Sequence, residues 1–264
     1  MINPLVIHFF DAATFTLTYV VADTTTGHCA IIDPVLNLDY ASGAIGTDSA
    51  DQVIAYVKDN DLNLALILET HIHADHLSSA PYLQKHLGGR IVIGSHITTV
   101  QDTFGTIFDE DEGFRRDGSQ FDVMLSDGDT FQVGALKGKA LHVPGHTPAC
   151  MAYQLGDALF AGDTLFMPDA GTARCDFPGG DARTLYASCQ RLLALLHPLC
   201  HLPLRCFHRR CQQKHGHCRL RLRDRRVRAL PHDIRLGAAG RRHRSRLPRC
   251  RDRRPQLLQH VCAE

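Results

Sequence analysis

The chain opens on short apolar or alternating runs at residues 4–10, 15–22 and 29–32, separated by Asp11-Ala12-Ala13 and Thr24-Thr25-Thr26-Gly27. Alternation at a period of two marks a strand, and Asp, Thr and Gly clusters turn the chain, so a meander of three strands is predicted. Asp48-Ser49 can cap a helix in which Ala50, Val53, Ile54 and Val57 share one face, ending near Asn60. Residues 64–68 form a continuous apolar run, as in a buried strand. A helix over about 76–87, stopped by Gly88-Gly89, and a strand over 90–93 then complete a βαβ unit. The acidic stretch 108–118 reads as a solvated loop. Short strands return between residues 121 and 166, with turns at Asp127-Gly128-Asp129 and Gly156-Asp157. After Asp181, a helix carries Leu185, Cys189, Leu192, Leu193 and Leu196 on its apolar side.

The chemistry concentrates where the run 64–68 ends, in Thr70-His71-Ile72-His73-Ala74-Asp75-His76. Three imidazoles and a carboxylate at this density point to a metal site rather than a polar strand end. If the strand continued, its period of two would set His71, His73 and Asp75 on one face, with His76 brought round by the next turn. Imidazole suits Zn, Fe, Cu and Ni, so this set leaves the metal open. Two more polar groups follow apolar strands, His146 in Val143-Pro144-Gly145-His146-Thr147-Pro148 and Asp163 in Phe160-Ala161-Gly162-Asp163-Thr164.

Composition divides the chain. The formal net charge is +1 over 264 residues, but residues 1–190 carry −15 and residues 191–264 carry +16. All six Tyr and eleven of the twelve Phe lie in the first part, which can therefore build a core. Cys29, Cys150, Cys175 and Cys189 are scattered without a pairing pattern, and the N-terminus lacks the basic region of a signal peptide. No run approaches the roughly 18 apolar residues of a membrane span. A soluble cytoplasmic protein with no membrane partner is expected.

The order HxHxDH after a strand, then PGHT, then GD at the end of another strand resembles the metallo-β-lactamase superfamily. Within it, the chain is similar to the persulfide dioxygenases, also called sulfur dioxygenases or ethylmalonic-encephalopathy-type proteins. Carrying this likeness are Ile31-Ile32-Asp33-Pro34-Val35, residues 69–76 and 144–148, Gly162-Asp163, and Gly171-Thr172-Ala173-Arg174-Cys175-Asp176-Phe177-Pro178-Gly179-Gly180-Asp181. It runs from about residue 5 to about 195. The resemblance implies an α/β fold, the αββα sandwich, in a domain over residues 1–195. It also implies one Fe(II) held by His71, His146 and Asp163, with glutathione persulfide and O₂ as reactants. Arg174 is then the cation near the substrate, and a homodimer is open. Two imidazoles and one carboxylate form a facial triad that leaves positions for substrate and O₂.

In hydrolytic relatives such as glyoxalase II, residues matching His73, Asp75 and His76 help to hold a second metal or surround the first. With two Zn, the same site would hydrolyse a thioester. The arginine excess of the tail is the sole support for a nucleic-acid-binding protein. That tail, residues 196–264, departs from the family pattern and lacks the late His-Asp-Tyr motif and its preceding strand. The types Leu, Pro, His, Gln and Arg make up 50 of the 74 residues in 191–264 but 46 of the 190 before them. These are largely the residues of codons beginning with C, so the tail reads as a shifted frame and is expected to be disordered.

Overall fold

The computed structural model describes residues 3–72, 76–111, 113–166 and 170–196 in full, with the backbone of 205–207 and 217–218. Strand β2 (Thr16–Ala22) is buried along its whole length. A strand covered on one side alternates, so this one must be covered on both. Leu17, Tyr19 and Val21 face a second sheet, whereas Val20 and Ala22 face helices.

The first sheet runs β1 (Leu5–Asp11), β2, β3 (His28–Ile32), β6 (Asn63–Leu68), β7 (Arg90–Gly94), β8 (Val123–Leu125). Its β1, β2 and β3 are the antiparallel meander. From β3 onward the pairs are parallel. The second sheet is ordered β14 (His217–Cys218), β13 (Arg205–Phe207), β12 (Ala158–Phe160), β11 (Met151–Leu155), β10 (Leu136–His142), β9 (Thr130–Val133). Along β10, Leu136, Gly138 and Ala140 are buried while Lys137 and Lys139 are exposed, the alternation of a half-covered strand. The inner faces meet in a core that includes Tyr19, Leu68, Leu136 and Phe160. Full burial of each such aliphatic side chain contributes roughly 1.5–3 kcal/mol.

Helices α1 (Asp48–Asp59) and α2 (Ala80–Leu87) cover the outside of the first sheet, with Val53, Val57 and Leu83 against Ile31 and Ile67. Helix α4 (Ala182–Leu196) covers the second, with Leu192 and Leu196 against Val143 and Leu159. The layers are therefore αββα, as the sequence resemblance implies. Asp181 begins α4 as expected, its Oδ1 accepting the Thr184 N–H at 2.7 Å.

Several elements differ from expectation. Helix α2 begins at Ala80 rather than 76, because the preceding residues are held elsewhere: the Leu36 N–H donates to the Leu77 carbonyl and Ser78 bridges to Val35. Helix α3 (Ile97–Ile107) was not legible. Its Ile, Val and Thr positions favour strand over helix, but Ile97 and Val100 are buried against Ile93 and Ala149. The short pair β4 (Asn37–Asp39) and β5 (Ala44–Gly46) is likewise new. Leu193, placed on the apolar side of α4, is 40% exposed. Where no strand was expected after α4, β13 pairs in parallel with β12, a ladder made through backbone groups that the side-chain pattern does not announce. The remainder of the tail lies outside the described residues. Among the described residues, no helix is long and apolar enough to cross a membrane.

Candidate metal centre

Three chain segments meet at one edge of the sandwich. Strand β6 ends at Leu68, and from there the backbone is clamped on three sides. The Glu69 N–H donates to the Val92 carbonyl at 2.9 Å, the Thr70 N–H donates to Asp33 Oδ1 at 2.7 Å, and the Thr70 carbonyl accepts the Met151 N–H at 2.8 Å. Buried Tyr153 adds an O–H donated to the Glu69 carbonyl at 2.9 Å. His71 therefore projects from a fixed turn and not from a continuing strand. The strand expected to carry His71 ends at Leu68, and the Thr70 N–H turns to Asp33 instead.

His146 comes from the turn between β10 and β11. Its neighbour Gly145 has φ +135°, and a Cβ there would lie 2.3 Å from the Leu185 backbone, so glycine lets α4 pack against the turn. Asp163 sits in the 3₁₀ turn Gly162–Thr164 after β12. Gly162, at φ +53°, leaves the room that Thr70 Oγ1 occupies, 2.7 Å from where a Cβ would stand.

The result is a tight buried group. His71, His146 and Asp163 are 2%, 5% and 4% exposed, and each offers a ligand atom within 4.8 Å of the other two. Asp163 Oδ2 lies 3.8 Å from His71 Nε2 and 3.5 Å from His146 Nε2.

Hydrogen bonds fix which nitrogen of each ring carries the proton. Thr70 Oγ1 donates its one hydrogen to Asp33 Oδ2 at 2.9 Å. The 3.0 Å contact between Thr70 Oγ1 and His71 Nδ1 must then be closed by the ring N–H. His146 Nδ1 lies 2.6 Å from the Arg174 carbonyl, which can only accept. In neutral rings, both Nε2 atoms are thus the lone-pair nitrogens, turned towards one carboxylate. This is the arrangement in which an outer partner orients a metal-ligating histidine. The group can hold a metal ion.

His76 is buried, with Nδ1 3.2 Å from the Leu77 carbonyl. It lines a cavity of about 30 Å³ beside His71 but does not join the three-residue group. His73 and Asp75 lie outside the described residues. Arg174 is on the strap 170–181, which is tied back by the Thr172 O–H to the Thr164 carbonyl and by the Asp181 N–H to the Gly145 carbonyl. Its side chain is 66% exposed, pairs through Nε with Asp176 at 3.3 Å, and stands 4.9 Å over the Phe177 ring. Phe177 in turn packs edge-on to His146 at 5.2 Å. Asp33, Thr70 and Phe177 carry no role in the sequence reading, although all three fall within the quoted family stretches.

The geometry agrees with the comparisons. The model of the metallo-beta-lactamase superfamily matches residues 12–199. A probable metallo-hydrolase of Burkholderia pseudomallei is 54% identical over a match that covers 71% of this chain and 67% of that protein. A beta-lactamase hydrolase-like protein of Xylella fastidiosa is 49% identical over 73% of this chain, which spans 44% of its length. The human mitochondrial persulfide dioxygenase is 29% identical over 68% of this chain and 59% of its own. Among solved structures, ETHE1 from Myxococcus xanthus superposes with a TM-score of 0.63 at 26% identity, covering 81% of this chain and 79% of that one. The chain belongs to the metallo-beta-lactamase superfamily.

Proposed function

We propose that the chain holds one Fe(II) through His71 Nε2, His146 Nε2 and Asp163, and oxidises glutathione persulfide with O₂. The reaction balances as persulfide, O₂ and water giving glutathione, sulfite and two protons. The outer sulfur is oxidised by four electrons, and O₂ is reduced by the same four. The observation that carries this reading is the buried group of two imidazoles with fixed lone pairs and one carboxylate. Bound Fe(II) supplies the redox partner for O₂ that the side chains lack.

The protein's own residues hold and orient. Thr70 and the Arg174 carbonyl keep the Nδ1 protons in place, and burial excludes bulk water from the three ligands. Arg174 exchanges Asp176 for a glutathione carboxylate by a charge-assisted bond, an exposed ion pair being weak enough to yield. A two-zinc thioester hydrolase is the second reading, favoured by the hydrolase names of the relatives at 49% and 54% identity. Metal content measured together with oxygen uptake separates the two. One iron per chain and persulfide-dependent uptake are expected. Two zinc ions per chain and no uptake after anaerobic iron loading would defeat the iron reading.

A further inference from the structure

The two sheets do not close on each other along β8 and β9. Between these edge strands lies a cleft of about 720 Å³, lined by none of the residues of the metal centre. It reaches the inter-sheet core: Leu66, Val92 and Leu125 form its floor, while the half-buried Val123 and Phe131 stand at its sides. Gly138 keeps it open, since a Cβ there would lie 2.4 Å from the Phe131 ring, which instead lies flat against β10. Arg90 from the first sheet and Lys137 from the second line the same cleft, with Thr130 and Gln132 beside them. Both cations are exposed, and neither forms an ion pair among the described residues. The neighbouring Asp122 is already engaged, accepting the Ile91 N–H at 2.8 Å and Gln84 Nε2 at 2.6 Å.

We propose that this cleft binds an amphipathic carboxylate, its hydrocarbon chain along the apolar floor and its head group between Arg90 and Lys137. The volume is in the range of small-molecule sites, and the lining sets five apolar side chains beside Arg90, Lys137, Thr130 and Gln132, as an amphipathic ligand requires. Charge complementarity selects the occupant. Residues 1–190 hold nine basic side chains against 24 acidic ones, yet two of the nine line this cleft. A second copy is the poorer fit. It would bring another acidic domain, and edge strands of three and four residues offer a short ladder for pairing.

The test is calorimetric titration of the full chain with dodecanoate below its micelle concentration, using dodecanol as the neutral control. One saturable site per chain is expected, with dodecanol bound about tenfold more weakly. Arg90→Glu and Lys137→Glu, both on exposed side chains, should each weaken dodecanoate by about tenfold without changing the circular dichroism spectrum. Val123→Trp, filling one side, should abolish it. Equal binding of the acid and the alcohol, or binding untouched by both charge reversals, would overturn the proposal. So would a concentration-dependent dimer that Val123→Trp dissolves. Bound metal is unaffected in every arm, so the outcome is independent of the reaction proposed above.

Discussion

Asp163 carries the one negative charge of the three-residue group, and both imidazole Nε2 atoms face it. Asp163→Ala should therefore leave two neutral nitrogens and abolish iron binding, whereas His76→Ala should spare it. Iron occupancy after anaerobic loading reads both variants, and equal loss at the two positions would point to a binuclear hydrolase centre. Thr70 makes a finer test, because its hydroxyl donates to Asp33 and accepts from His71 in one chain of bonds. Thr70→Val keeps the shape but removes the hydroxyl's bonds to the Asp33 carboxylate and to the His71 ring. Iron affinity by chelator competition should fall by about 10- to 100-fold, the usual effect of losing such an outer partner, and Thr70→Ser should restore most of it.

Between elements, the sandwich is pinned by polar contacts as well as by its core. Asp23, in the turn after β2, is fully buried and accepts from Thr25 N–H, from both the Thr25 and Thr26 hydroxyls, and across the sheets from the Ala135 N–H. These bonds, the Thr25 hydroxyl foremost, hold its carboxyl well below the usual carboxylate range. A lowered folded value means that the stabilisation is present above the unfolded value of about 4 and is lost as pH falls below it. Asp23→Ala should cost on the order of 3 kcal/mol at neutral pH, and the deficit should shrink towards pH 3. Denaturant midpoints of the two proteins across that range provide the check, and a pH-independent difference would contradict it. Residues like Asp23 explain what the sequence could and could not announce. The meander and the βαβ unit were legible because periodicity marks them directly, and the grouping of His71, His146 and Asp163 came from the family resemblance. The start of α2 and the bend at Thr70 were not. Each depends on a partner far along the chain, Pro34 or Asp33, that satisfies a backbone group at the turn. Helix α3 was hidden for a related reason, since burial of Ile97 and Val100 overrides the weak helix propensity of its β-branched residues.

At the scale of the molecule, the two parts of the chain follow different rules. The match to the superfamily model stops at residue 199, close to where the composition changes. Beyond residue 190 the chain holds 19 Arg to one Lys, six Cys and one Phe, and after α4 ends at Leu196 its sequence has no apolar period that could cover a sheet. A selected basic arm would use lysine alongside arginine and would have no need of cysteine or leucine. A reading frame moved so that C-rich third positions become first positions would instead yield Leu, Pro, His, Gln and Arg together, as is found. The expectation is that resequencing the gene will reveal a one-base insertion or deletion near codon 196, and that restoring the frame will remove the arginine excess. His71, His146 and Asp163 all precede this point, so the ligand group survives in either frame. The second sheet continues past α4 through β13 and β14, so the frame decides which residues form its outer strands. Correcting the frame should therefore raise soluble yield and the thermal midpoint and leave the stoichiometry of bound iron unchanged. An intact frame, with tail peptides in the mass spectrum of a soluble folded product, would refute the shift.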